Sequence, residues 1–161
     1  VEAKLKDTRG ATIKKRYPYQ TESHGFLDEG ALDYVKKVQL DLYSKGLIDK
    51  FKPMLEMSYE RITLVAKNGG ERLTLDRKIR FFKDGNEHST AEDIFIVETK
   101  SKNANGIADA IFRSYHQHPI SKCSKYCLGM CITKQVKKFN NFMPALRRLG
   151  MRLTKGGVDV F

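Results

Sequence analysis

An α+β fold built mainly on antiparallel strands is what this sequence predicts. Three observations carry that expectation. Several short segments alternate apolar and polar residues with the period of two that a half-buried strand requires. Compact turn signals join those segments into hairpins. Longer stretches carry apolar residues at helical spacing instead.

Residues 1–6 set Val1, Ala3 and Leu5 against Glu2, Lys4 and Lys6. Asp7-Thr8-Arg9-Gly10 then turns the chain, and residues 11–17 alternate again with Lys14 and Arg16 on one face. This is a first hairpin. Leu27 to Leu47 places Leu32, Val35, Leu40 and Leu42 at helical spacing, with Asp28 or Glu29 at its start and Gly46 at its end. Met57 to Ala66 is a strand with Tyr59, Arg61 and Thr63 opposite Ile62 and Leu64. Asn68-Gly69-Gly70 turns it into Arg72 to Asp76, where Arg72, Thr74 and Asp76 oppose Leu73 and Leu75. A charged loop follows. Asp93 to Lys100 is a further strand, with Glu98 and Lys100 on one face. Ile107 to Tyr115 reads as a helix, Ser121 to Met130 has no clear period, and Asn140 to Leu149 reads as a short basic helix.

The chain has 161 residues, 40% of them hydrophobic, enough for one ordinary domain, and 1–161 is read as a single unit. No apolar run approaches the ~20 residues of a membrane-spanning helix. The first residue is Val and no signal-peptide pattern follows it, so the chain is expected to be a piece of a longer protein. Lys and Arg number 30 against 19 acids, a net charge of +11 that favours a polyanionic partner. Cys123, Cys127 and Cys131 do not have zinc-site spacing and are expected to be reduced thiols on or near a helix.

The polar faces of the five strands repeatedly combine Lys or Arg with an occasional Glu or Asp. Singly, each is an ordinary solvated face. If the strands close into a barrel, either the apolar faces form its core or the charged faces line a wet lumen. The second arrangement gathers Lys4, Lys6, Lys14, Arg16, Arg61 and Arg72 around one cavity. Those cations repel one another unless an anion lies among them. Phosphate oxygens suit both the Arg fork and the Lys point charge. Glu2, Asp76 and Glu98 then offer hard oxygen ligands to Mg2+ or Mn2+, although Asp76 is equally readable as a strand-end partner of Arg72.

Several of these segments resemble one family in order. Val1-Glu2-Ala3-Lys4-Leu5-Lys6, followed by Lys14-Lys15-Arg16, resembles the E-x-K strand pair of the VTC domain. Ser58-Tyr59-Glu60-Arg61 is similar to its Y-x-R strand, and Arg72-Leu73-Thr74-Leu75-Asp76 to its R-x-T-x-D strand. Val97-Glu98-Thr99-Lys100 resembles its V-E-x-K strand. Ser124-Lys125-Tyr126-Cys127-Leu128-Gly129 resembles its closing S-K-Y-x-x-G motif.

The resemblance implies a triphosphate tunnel fold, an antiparallel β-tunnel with flanking helices, related to the CYTH phosphatases. It implies a transferase, a polyphosphate polymerase that moves the terminal phosphoryl group of ATP onto a growing phosphate chain with Mn2+ or Mg2+. It implies Lys4, Lys6, Lys14, Arg16, Arg61, Arg72 and Lys125 as phosphate ligands, with Lys122 as a further contact. Of these, Lys4, Arg61, Arg72 and Lys125 would be catalytic. It implies Glu98, with Glu2, as metal ligands. The family pattern places further strands, including an R-x-R strand, before the E-x-K strand. None precedes Val1 here, so the N-terminal strands are expected to be lacking and the tunnel incomplete. The implied partners are ATP, polyphosphate and a membrane complex, with a location that is cytoplasmic or peripheral to that complex.

The rival readings are a triphosphatase of the same fold and a non-catalytic polyphosphate-binding module. The first normally needs an E-x-E-x-K strand, and the segment around Glu2 has one Glu. Nucleic acid is not expected, because the aromatics sit at core-like spacing rather than as a stacking platform. His116 and His118 read as a solvated helix end. Lys134 to Lys138, with Arg147 and Arg148, read as a solvated helical face, with guidance of a product chain or contact with a partner as the alternatives. Tyr59 and Tyr126 read as packing residues. Arg61 and Arg72 are expected to be removable without loss of folding.

Overall fold

The computed structural model of the chain describes residues 1–20, 25–44, 51–153 and 158–160. Among them the fold is α+β, and every strand pairing is antiparallel. A triphosphate tunnel is compatible with these sheets, which among the described residues close no barrel by strand pairing. The chain forms two compact units, Val1–Pro53 and Met54–Phe161. No helix among the described residues is long and apolar enough to cross a membrane.

In the first unit, β1 (Glu2–Lys6) pairs with β2 (Thr12–Arg16). The Asp7 carboxylate accepts from the backbone of Arg9 and Ala11 at 2.9 and 2.7 Å, which closes the turn. Helix α1 (Glu29–Tyr43) starts at Asp28, whose side chain accepts from the Ala31 backbone. It ends at Ser44 in the left-handed region, so the helix stops short of the expected Gly46, which lies outside the described residues. Ala31 and Val38 are buried, whereas Leu40, an expected core position, is 54% exposed.

In the second unit, β4 (Arg72–Lys83) is the central strand. One side of it pairs with β3 (Glu56–Val65) and the other with β6 (Ile96–Lys100) and β5 (Asn86–Ser89). β4 is far longer than the expected Arg72–Asp76, and the expected charged loop is its continuation plus a hairpin. The cause is a β-bulge. Ser58 faces Arg80 and Glu60 faces Arg77, so Tyr59 opposes two residues, and Lys78 takes a positive φ of 49°. The extra residue shifts the alternation: Thr74 and Asp76 are buried before it, Ile79 and Phe81 after it. A strict period of two ends at the bulge, which hid the second half of the strand.

That one face of β4 carries the core. Ile79 and Phe81 cluster with Leu128, Cys131, Ile132, Ala145, Leu146, Leu149 and Met151. Helix α2 (Ile107–Ser114) matches the expected segment. The unassigned segment holds α3 (Lys125–Ile132), capped by the Ser124 hydroxyl. A 3-10 turn at Asn140–Phe142 leads into α4 (Met143–Arg148). Lys134–Lys138 follow α3 as irregular chain, not as the expected helical face. A last hairpin joins β7 (Met151–Leu153) to β8 (Val158–Val160). The cysteines are free, with Cys127 and Cys131 within α3.

Gly129 fixes how closely α3 lies on the sheet. A Cβ there would stand 2.6 Å from Phe81 Cδ1 and nearer still to Leu55. Gly129→Ala is therefore expected to push α3 off β4 and to cost about 1–3 kcal/mol, the usual range for overpacking. A thermal melt of the variant against the parent chain measures it.

Candidate functional site

The site in the second unit is built outward from Asp76. Its side chain is 1% exposed, in the middle of β4 rather than at a strand end. Arg61 stands directly opposite on β3 and grips it twice, Nε to Oδ1 at 2.6 Å and Nη2 to Oδ2 at 2.8 Å. Lys125 Nζ, at the first turn of α3, reaches Oδ2 at 2.6 Å. The sequence reading offered Arg72 as the partner of Asp76. In the structure that place belongs to Arg61 and Lys125.

Tyr59 lies beneath both cations. Arg61 Cζ is 4.9 Å and Lys125 Nζ 5.4 Å from its ring centre. The ring is thus a cation–π platform, not only a packing residue. Burial by itself would raise the Asp76 pKa, but the hydrogen bonds from Arg61 and Lys125 outweigh it and hold the carboxyl below its usual value. The same bond raises the pKa of Arg61. The cluster carries two fixed cations and one fixed anion. Arg61 keeps its Nη1 group, and Lys125 part of its ammonium, for an anion on the open side.

The next rungs of this face carry the other candidates. Thr74 faces Glu98, and Arg72 faces Lys100. Lys100 holds Glu98 by a hydrogen bond that lowers the carboxyl pKa, with further lowering from the charges of Lys125 and Arg61. Arg72 is exposed and forms no ion pair among the described residues. Lys122 is exposed, in a left-handed turn before α3, and nothing among the described residues ties it to the Asp76 cluster. The Thr74 hydroxyl is buried and unpartnered.

The first unit presents its own basic face. Glu2 accepts from Arg16 Nε at 2.9 Å and lies 3.4 Å from Lys4 Nζ, with its pKa lowered chiefly by Arg16. Lys14 stands directly across from Lys4. Lys6 turns its ammonium to the Thr12 hydroxyl and the Gly10 carbonyl, at 2.7 and 3.0 Å. Two like-charge rungs thus recur, Lys4 with Lys14 and Arg72 with Lys100. Like charges facing each other across strands cost stability. Glu2 lies against Lys4 and Glu98 against Lys100, so among the described residues Lys14 and Arg72 are the members of the two rungs outside any ion pair.

For a divalent metal, the donors in the second unit are Glu98 and the unpartnered Thr74 hydroxyl opposite it. Among the described residues, no three His, Cys, Asp or Glu side chains group into a cage. Glu98 is held by Lys100, so a divalent ion would displace that ammonium and take most of its other ligands from phosphate oxygens and water. Asp76 is committed to its two cations. His116 and His118 are exposed, as expected of a solvated helix end.

The sequence reading missed Tyr59 as a platform, Thr74 as a polar group facing Glu98, and Lys100 as the cation opposite Arg72. Alternation placed each on the correct face, and only the register reveals what it faces.

The model of the VTC domain family matches residues 1–134. No match was found among curated proteins or among solved structures.

Arg61→Ala is expected to destabilise the fold, against the expectation from sequence, because it strips a buried carboxylate of its best partner. The cost is about 3 kcal/mol, at the low end for a buried pair since Arg61 itself is 37% exposed. Chemical denaturation measures it. The lowered pKa of Asp76 gives stability that is full above its unfolded value near 4 and is lost as pH falls through the lower folded value. Asp76→Asn should flatten that acid limb in a pH series of melts.

Proposed function

The chain belongs to the VTC domain family, whose members are associated with polyphosphate, and we propose that it is a polymerase domain that moves the terminal phosphoryl group of ATP onto a growing phosphate chain. The observation that carries this reading is the pair of like-charge rungs, Lys4 opposite Lys14 and Arg72 opposite Lys100. Faces of that kind suit a ligand whose negative oxygens repeat at short intervals.

In this reading Arg61 and Lys125 bind phosphate oxygens on the open side of Asp76, and Asp76 sets their direction. Arg72 binds further along the same face. Lys4, Lys14 and Arg16 bind phosphate on the first hairpin, and Lys6 does so when its ammonium leaves the turn. Lys122 contacts the chain beside α3. The bond from the γ-phosphorus to the ADP oxygen breaks, and a bond to a terminal oxygen of the phosphate chain forms. Charge gathers on the leaving oxygen as it does, and fixed cations stabilise it there without reorganising. Glu98 and Thr74 would hold Mg2+ or Mn2+, with Glu2 as the corresponding carboxylate on the first hairpin. Bound there, the ion would neutralise phosphate charge and orient the reacting groups.

Arg72 gives the cleanest test, because it is exposed and outside every ion pair among the described residues. Arg72→Ala should leave the melting temperature unchanged and weaken triphosphate binding by about tenfold, the loss of one charge-assisted contact. Equal affinity would remove Arg72 from the site. Glu98→Gln should reduce metal-dependent ATP turnover, and an unaltered metal dependence would overturn the metal assignment. Release of ADP with lengthening of the chain distinguishes a polymerase from a triphosphatase, which releases phosphate, and from a binding module, which turns nothing over.

A further inference from the structure

No Asp or Glu occurs between Asp109 and Asp159, while Lys and Arg recur throughout that stretch. Much of the net charge of +11 therefore comes from one part of the chain. The fold shows where those cations go. From Leu128 to Met151 the apolar side chains turn onto one core cluster with Ile79 and Phe81. Leu128, Cys131, Ile132, Ala145, Leu146, Leu149 and Met151 are buried, with Val136, Phe139, Phe142 and Met143 packed against them. Lys134, Lys137, Lys138, Arg147 and Arg148 are exposed, and none forms an ion pair among the described residues.

We propose that these five cations form a second binding surface, separate from the Asp76 cluster, for the body of a long inorganic polyphosphate chain. The inference rests on the functional reading above and adds a second point of contact to it. The same layer begins with Lys125 on the Asp76 cluster. The surface cations start just beyond the C-terminus of α3, whose eight residues span about 12 Å. On this proposal a triphosphate engages the Asp76 cluster alone, and only a longer chain engages both.

The composition of the surface selects among polyanions. Between Cys127 and Met151 no large hydrophobic side chain is markedly exposed. A membrane-binding surface combines its cations with apolar side chains that enter the lipid, and a single-stranded nucleic-acid surface offers aromatic rings to the bases. Here Val136, Phe139, Phe142 and Met143 pack against the core and are only part-exposed. What remains is repeated positive charge on short irregular segments, suited to a flexible chain that carries charge and nothing else. Such binding is driven by release of counterions and weakens steeply with salt.

The test compares the 161-residue chain with a variant carrying Lys137→Gln, Lys138→Gln, Arg147→Gln and Arg148→Gln. Affinities for inorganic triphosphate and for long-chain polyphosphate are measured at two salt concentrations, with phosphatidylserine vesicles as a third ligand. The expected result is unchanged triphosphate affinity, long-chain affinity reduced about tenfold or more, and a shallower salt dependence. Unchanged long-chain affinity in the variant would overturn the surface and leave the Asp76 site standing. Loss of vesicle binding without loss of polyphosphate binding would also overturn it, in favour of a membrane. A parent chain that binds neither phosphate ligand would overturn the functional reading and this inference together. Unchanged melting of the variant, whose four sites are exposed, secures the comparison.

Discussion

A buried carboxylate between two cations is the constraint on which the second unit is organised. Asp76 is almost wholly removed from water and remains ionised only because Arg61 and Lys125 both reach it. Such a charge without partners would be prohibitively costly to bury. Satisfying it requires β3 in register with β4, so that Arg61 lies opposite, and α3 close to the sheet, so that Lys125 arrives from above. One electrostatic requirement thereby specifies two pieces of packing. Buried ion pairs contribute little net stability compared with apolar packing, so the gain lies in fixing direction rather than in strength.

The close approach of α3 has its own cause one turn further on. Gly129 lets the helix backbone approach Phe81, and Ser124 caps the helix start. Ser124, Lys125 and Gly129 thus have three separate duties: starting the helix, supplying the cation and permitting the contact. Tyr59 completes the arrangement by lying under both cations, and the bulge beside it turns the same face of β4 from polar to apolar. A charged stretch and an apolar core therefore share one strand face.

The positive charge is distributed in two different ways. On the strands it is interleaved with acids, and the acids of the candidate site are engaged: Glu2 by Arg16 and Lys4, Glu98 by Lys100, Asp76 by Arg61 and Lys125. The acids there align cations more than they cancel them. Around α4 and the segment before it there are no acids, and the cations stand alone at the surface. The first pattern suits recognition of individual phosphate groups at defined positions. The second suits non-specific attraction along a chain, where number and density of charge matter more than direction.

Alternation and turn chemistry by themselves determined the hairpins 1–17 and 57–76, the strand ending at Lys100, the helix from Ile107 and a helix start at Asp28 or Glu29, of which the structure takes Asp28. These are local properties, decided by the side-chain period and by the few residues that tolerate a turn. The same alternation placed Lys4, Lys14, Arg61, Arg72 and Glu98 on polar faces, and their order along the chain carried the family resemblance. Only the tertiary structure decided that Asp76 belongs to Arg61 and Lys125, that Lys14 faces Lys4, and that β4 runs on to Lys83. A pairing depends on register, which no side-chain period encodes, and the continuation of β4 past Asp76 depends on a bulge that breaks the period of two. A contact such as Lys125 with Asp76 spans 49 positions in the sequence and exists because a glycine on another turn of the helix lets two elements meet.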